Sequence, residues 1–479
     1  MSKLNWWKSA YAVFLLCAAT AIAATAIAAP AQTFTSLVDF NGTRGANPWT
    51  APLVQGTNGS FYGTTLYGGS SNACSQGCGT VFRVGPDGAL KTLHSFSGSD
   101  GNSPFAGLIL ASDGNFYGTT YGGGAINPCA GGSGCGTIFR ITPQGTLTTL
   151  HSFDFYDGEF PEGGLVQGSD GNLYGTTTWG GQGAGTVFKI SLSGGFTTLH
   201  VFNYTDGWQP VAALVEGTDG RFYGTTQDGG ANSSGTVFRI ASTGAFTLLH
   251  SFTRNYVDGA NPTAPLIVGG DGNFYGTTYS GGTTDAGTVF RMSPAGNVDI
   301  MHSFMTADGW RPEAGLVLAT DGNFYGTTLQ GGAHLQGNIF VITPQGALRD
   351  LYDFCSQSEC SDGGSPYAGL FQGTNGEFYG ATAFGGARDA GGIYSLTVGL
   401  GPFIEMVPII GRVGRTVGIL GNNLTGATSV TFSGIAASFT VQSATAIKTA
   451  VPAGATTGTV QVVTPSGTLS SNVPFRVAP

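Results

Sequence analysis

A small set of side chains in this chain could bind or transform a ligand, because each breaks a pattern that the rest of the sequence repeats. Glu159 and Glu162 stand in one connecting segment, Glu313 in another, and Asp228, Asp285 and the lone His334 are further candidates on or near the same loops. Two carboxylates on either side of a glycosidic bond can act as acid and base, or as acid and nucleophile. A pair drawn from this set would therefore suit cleavage of a sugar polymer. Trp49, Trp179, Trp208 and Trp310 are the tryptophans beyond residue 31. Indole faces on loops offer stacking surfaces for sugar rings or partner side chains, and each could equally serve as a lid over its own sheet. No nucleophile motif or cofactor fingerprint accompanies these residues.

Other polar residues recur in step and read as architecture. His94, His151, His200, His250 and His302 occupy one register of a strand. On separate units they stand too far apart to share a metal ion, so each is expected to bond within its own unit. Arg83, Arg140, Lys189, Arg239 and Arg291 repeat in the same way. Asp100, Asp157, Asp206, Asp258, Asp308 and Asp362, each followed by glycine, lack the twelve-residue calcium-loop pattern and suit turn formation through Asp side chains. Neither a metal nor a cofactor is expected.

The elements that must position these residues are set by a repeat. A phrase centred on tyrosine returns at Tyr62, Tyr117, Tyr174, Tyr223, Tyr275, Tyr325 and Tyr379, 49 to 57 residues apart, which is room for four short strands. In the copy over 308–354, Ala314-Gly315-Leu316-Val317-Leu318 is an apolar run and Asp321-Gly322 a two-residue hairpin signal. Residues 323–328 and 337–342 alternate as strands, Pro344-Gln345-Gly346 is a turn, and 348–354 is the fourth strand. Seven such units predict an all-β, seven-bladed β-propeller over 32–400, in which each sheet buries both faces against neighbours. The phrase Leu-His-Ser-Phe that ends a unit has a stray relative at the start, Leu37-Val38-Asp39-Phe40, while the last unit stops after its third strand, Gly392-Ile393-Tyr394-Ser395-Leu396. Residues 33–40 are thus expected to complete the last blade and close the ring by a shared sheet. The long connections, the cysteine pairs and the four tryptophans then share one face, where loops on a rigid scaffold bind. Tight turns such as Asn58-Gly59 and Asp170-Gly171 occupy the other.

Composition bounds the partners. The chain holds 82 glycines in 479 residues without a triplet period, and 11% aromatics, which fits tight turns in an all-β protein rather than disorder. Residues 32–400 carry 12 basic and 26 acidic side chains, a net charge of −14, and 401–479 carry 4 and 1. An acidic body with no basic stripe excludes nucleic acid as a partner. Residues 1–31 read as an export signal, with Lys3 and Lys8, an apolar run over 10–24, and cleavage options at Ala26-Ile27-Ala28 or Ala29-Pro30-Ala31; an uncleaved anchor is the alternative. No later stretch approaches spanning length, and the mature chain is expected to be a soluble monomer. Beyond Cys17, the cysteines pair locally as Cys74 with Cys78, Cys129 with Cys135 and Cys355 with Cys360. Disulfides suit an exported chain, and the spacings match no zinc pattern.

The runs Asp271-Gly272-Asn273-Phe274-Tyr275-Gly276-Thr277-Thr278 and Gly287-Thr288-Val289-Phe290-Arg291, with the following Leu-His-Ser-Phe phrase, resemble the bacterial choice-of-anchor tandem repeat family, also called the GloVer repeat, over about 37 to 398. The resemblance implies an exported, surface-associated repeat protein and brings no catalytic residues. Residues 401–479 show short alternating strands that suit an immunoglobulin-like β-sandwich. Gly421-Asn422-Asn423-Leu424, Ala427-Thr428-Ser429-Val430-Thr431-Phe432 and Val451-Pro452-Ala453-Gly454 resemble the IPT/TIG domain. The function expected is non-enzymatic recognition or adhesion, with a polysaccharide or cell-surface polymer bound through Trp49, Trp179, Trp208 and Trp310. A secreted carbohydrate-active enzyme using the singleton carboxylates, and a structural component of the cell envelope, are the alternatives. A funnel with two converging carboxylates would favour the enzyme, and a shallow aromatic patch would favour binding.

Overall fold

Strands form where side chains alternate between two buried faces. In the copy taken above, Val317–Leu318, Phe324–Thr328, Asn338–Ile342 and Leu348–Asp353 pair antiparallel in that order. The computed structural model describes residues 32–50, 52–125, 129, 134–254 and 258–478, and seven such four-stranded sheets precede residue 400. The expected export signal over 1–31 lies outside the described residues. Among the described residues no helix is long and apolar enough to cross a membrane.

The inner strand is shorter than its apolar run suggests, with two residues paired rather than five. The residues ahead of the pair leave their own sheet and approach the same segment of the adjoining unit. A Cβ on Gly107 would stand 2.8 Å from the Pro52 carbonyl oxygen, which is why a glycine sits at this crossing.

The outer strand carries a constant irregularity. In the six units that end on their own fourth strand, the register slips once, leaving the first residue of the Leu-His-Ser-Phe phrase unpaired, as at Leu199 between His200 and Thr198. Thr33–Asp39 pairs antiparallel with Gly392–Thr397 and slips at the same place, between Ser36 and Val38. It is the fourth strand of the sheet that continues through Phe378–Thr382 to Phe371–Gln372.

Aromatic rings pack sheet on sheet. The tyrosine of one phrase stacks on the phenylalanine of the next unit, as in Tyr62 on Phe116 at 4.1 Å and Tyr174 on Phe222 at 3.8 Å, and Tyr379 meets Phe61 at 4.0 Å. Phe40 likewise packs on Phe82 at 5.3 Å, as Phe202 does on Phe238 at 5.2 Å. Such pairs contribute about 0.5 to 1.5 kcal/mol each beyond the area they bury. The buried tyrosine hydroxyl finds a partner in the hairpin turn: Tyr174 donates to Asp170 Oδ2 at 2.7 Å, and Asp170 Oδ1 accepts the Asn172 N–H at 3.0 Å.

The repeated histidines and aspartates prove to be partners. His94 Nε2 lies 2.8 Å from Asp100 Oδ2, His151 2.8 Å from Asp157, and His302 3.0 Å from Asp308. In the sixth copy Tyr352 replaces histidine and donates to Asp362 at 2.7 Å. Asp100 also accepts the Ser97 N–H at 2.8 Å, so the aspartate forms its turn and anchors the strand at once. Burial works to raise the Asp100 carboxyl, but the hydrogen bonds from His94 and Ser97 outweigh it and hold the group below its ordinary value.

Beyond residue 402 two four-stranded sheets enclose a core that includes Ile404, Val417, Ile419, Val430, Phe432, Val460 and Phe475. This module sits on the tight-turn side of the repeats. Asn422 Nδ2 donates to Thr374 Oγ1 at 2.8 Å, Thr445 Oγ1 donates to the Thr57 carbonyl at 2.7 Å, and the Arg476 guanidinium donates to the Glu216 carbonyl.

Candidate binding cavity

Seven copies of the connection into the inner strand share one backbone plan, Gly-x-x-Pro-x, from Gly45-Ala46-Asn47-Pro48-Trp49 to Gly363-Gly364-Ser365-Pro366-Tyr367. The residue before the proline is left-handed in every copy, with φ of 52° at Asn47, 52° at Ser103, 56° at Phe160, 56° at Gln209, 55° at Asn261, 59° at Arg311 and 50° at Ser365. This conformation costs a side-chain-bearing residue roughly 1 to 2 kcal/mol. Hydrogen bonds on both sides offset it. Phe160 N–H donates to Cys135 O of the preceding unit at 2.9 Å, and Phe160 O accepts Thr178 N–H at 3.1 Å; Arg311 is held between Ala286 O at 2.9 Å and Leu329 N at 3.0 Å.

The fixed backbone delivers the residue after the proline to the same place in each copy, yet that residue is Trp49, Phe105, Glu162, Val211, Thr263, Glu313 or Tyr367. All but Trp49 line one cavity of about 280 Å³, together with Gln227 and the apolar Leu108, Leu165, Leu316 and Leu370. Trp49 stacks on Tyr367 with ring centroids 4.2 Å apart.

The two glutamates dominate the electrostatics. Burial raises the Glu162 carboxyl to about 7; the Thr178 hydroxyl works against that shift and the charge of Glu313 works with it. Burial lifts Glu313 to about 7 as well, against the pull of Arg311. Tyr121 is raised by burial and by the charges of Glu162 and Glu159, while Tyr367 is raised by burial and by Glu313. The Arg311 guanidinium stands 4.9 Å from the Tyr279 ring centroid and 4.4 Å from that of Trp310. Thr178 is 2% exposed, and its hydroxyl, though near Glu162, falls outside hydrogen-bond geometry with any protein atom. Thr263 Oγ1 on the cavity wall is buried in the same condition. Near neutral pH such a carboxyl pair offers both a donor and an acceptor.

The residues singled out by sequence fall in several places. Trp179 and Trp208 meet edge to face at 5.6 Å, while Trp310 is covered by Arg311 and Trp49 by Tyr367. Trp208 and Trp310 lie outside the four-stranded sheets, yet each forms an isolated backbone bridge, with Asp228 and Gln330, and packs in part against a hydrophobic core. Asp228 Oδ1 accepts from Asn261 at 2.8 Å, and Asp285 pairs with Arg254 at 3.2 Å. His334 is exposed, and Glu159 is buried beside the Cys129–Cys135 disulfide. The three cysteine pairs are bonded as expected, Cys74–Cys78, Cys129–Cys135 and Cys355–Cys360. Sequence reasoning named Glu162 and Glu313 but not their shared cavity, and it missed Tyr121, Thr178, Gln227, Thr263, Tyr279 and Tyr367. Aligning the seven connections at their proline would have exposed the variable position.

No curated protein matches the chain. Among solved structures, a 6-phosphogluconolactonase-like protein of Bacteroides fragilis is 18% identical with a TM-score of 0.45, over 66% of this chain and 85% of that one. A gluconolactonase of Xanthomonas campestris is 12% identical with a TM-score of 0.40, over 77% and 91%. A fungal alcohol oxidase is 11% identical with a TM-score of 0.45, over 91% and 100%. None of the three transfers any chemistry to the cavity. The Gloeobacter/Verrucomicrobia repeat matches at 24–130, 128–318 and 215–436, and an IPT/TIG domain matches at 403–477. The chain whose connections build this cavity therefore belongs to the Gloeobacter/Verrucomicrobia repeat family and carries a C-terminal IPT/TIG domain.

Proposed function

We propose that the seven sheets of 32–400 are the blades of one closed β-propeller, exported from the cell, and that its central cavity recognises a saccharide of a polysaccharide or cell-surface polymer. The observation that carries the reading is the contrast within the connections: seven copies keep one backbone and vary the side chain they present to the cavity. A scaffold that needed only stability would have no use for Glu162, Glu313 and Thr263 where Val211 and Phe105 also fit. Carboxyls, a hydroxyl and an amide beside Trp49 and Tyr367 supply the hydrogen bonds and ring faces that sugar recognition uses. Three disulfides suit an oxidising compartment. The working residues are then Glu162, Glu313, Gln227, Thr263 and Trp49, with Trp179, Trp208 and Trp310 on the surrounding loops.

Binding of a soluble polysaccharide panel by parent, Trp49→Ala and the Glu162→Gln/Glu313→Gln double variant tests this. Loss of binding in folded variants is expected; unchanged binding removes the cavity from the function. A hydrolase or lyase is the second reading, favoured by two carboxyls held near 7 in one cavity. New reducing or unsaturated ends that appear with the parent and vanish with Glu313→Gln would establish it.

A further inference from the structure

Resting on the saccharide reading, we infer that the ligand is an amino sugar whose protonated amine sits between Glu162 and Glu313. The two carboxyls come from connections three units apart and face the same cavity, where the charge of one is felt at the other. A neutral hydroxyl can donate to either carboxylate but leaves their repulsion in place. An ammonium group donates to both and cancels charge as it does so.

The walls fit the same occupant. Tyr367 lines the cavity and stands near Glu313, and aromatic faces attract cations. On the Glu313 side the chain already places a cation on such a face, the Arg311 guanidinium over Tyr279 and Trp310. Among the described residues no cation pairs with Glu162. The buried Thr263 hydroxyl on the cavity wall, without a hydrogen-bond partner among the described residues, calls for polar partners from outside the chain. The ring hydroxyls of a sugar supply them, and the acidic body of the repeats draws a cation inward.

The test titrates the full chain near neutral pH, by calorimetry in two buffers of different ionisation heat, with glucosamine hexamer, N-acetylglucosamine hexamer and spermidine. The glucosamine hexamer is expected to bind at least tenfold more tightly than its acetylated counterpart and more tightly than spermidine, with net proton release. Glu162→Gln/Glu313→Gln is expected to abolish the preference, and its melting curve checks that it folds. Equal or tighter binding of the acetylated hexamer overturns the amine while leaving saccharide recognition standing. Tightest binding by spermidine overturns the amino sugar, and no binding by either hexamer or spermidine overturns it together with the reading on which it rests.

Discussion

Gln55 Nε2 donates to Thr374 Oγ1 at 3.1 Å across 319 residues of sequence, and Gln55 Oε1 accepts the Thr374 N–H at 3.0 Å. The same contact joins each of several units to its successor, from Gln167 to Ser112, Glu216 to Ser169 and Gln372 to Thr320. The first unit thus meets the seventh through the same contact, and Tyr379 packs on Phe61 and Phe40 on Phe82 at that junction.

Deleting 32–40 should therefore destabilise the repeats far more than deleting 401–479. The first deletion removes Val38 and Phe40, 7% and 1% exposed, and unstacks Phe34 from Tyr352. Large buried side chains contribute roughly 2 to 5 kcal/mol each, so a loss of at least about 5 kcal/mol is expected. Calorimetric melting of the two truncations decides the order, and a larger drop for the tail deletion would reject the closed ring.

Much of this architecture is legible in the sequence because each strand repeats a fixed phrase and a stray phrase must pair somewhere. What escaped depends on distance in space. Histidine and aspartate recur six residues apart at His94 and Asp100, His151 and Asp157, His200 and Asp206, and His302 and Asp308, and eight apart at His250 and Asp258, a near-constant spacing that points to their bond, yet either series alone reads as architecture. Glu162 and Glu313 stand out as acids at a variable position, but only the packing of the units in space brings loops three units apart onto one cavity. Trp208 and Trp310 look like free loop residues because the bridges to Asp228 and Gln330 pair segments with no strand pattern.

Those bridges divide the tryptophans by role. Trp208→Ala should cost about 2 kcal/mol, since the indole packs in part against the core that contains Val187, Phe202 and Phe222. Trp49→Ala should cost under about 1 kcal/mol and weaken ligand binding, because its ring lies on Tyr367 at the cavity. Paired denaturation and binding measurements separate them, and equal stability losses would put Trp49 in the core as well.

The disulfides should matter locally. They close loops with sequence separations of 4, 6 and 5, for which loop-closure entropy gives about 2 kcal/mol each at most. Replacing Cys74 and Cys78 by serine should leave the repeats folded and increase proteolytic nicking near 70–78. Global unfolding of that variant at room temperature would contradict a local role.

The last expectation concerns the sign of the stability that Glu162 and Glu313 contribute. Their ordinary value is 4.5, and both rise to about 7 in the folded chain. Between those values the folded state holds protons that the unfolded chain has released, so the favourable contribution is full below about 4.5 and is lost as pH rises through 7. One pKa unit corresponds to about 1.4 kcal/mol. Allowing for partial hydration of the cavity, Glu162→Gln/Glu313→Gln should be about 2 to 4 kcal/mol more stable than the parent at pH 8 and equal to it near pH 4.5. The carboxyls held low, such as Asp100 and Asp170, act oppositely: their contribution is present above the ordinary 3.8 and lost as pH falls through their folded values. They are common to both proteins and cancel in the difference. Denaturant titrations at the two pH values measure the gap. A gap that does not change with pH would mean that the carboxyls are solvated and not confined; a gap that opens toward pH 8 marks two residues that oppose the fold they occupy, as expected of groups retained for a ligand.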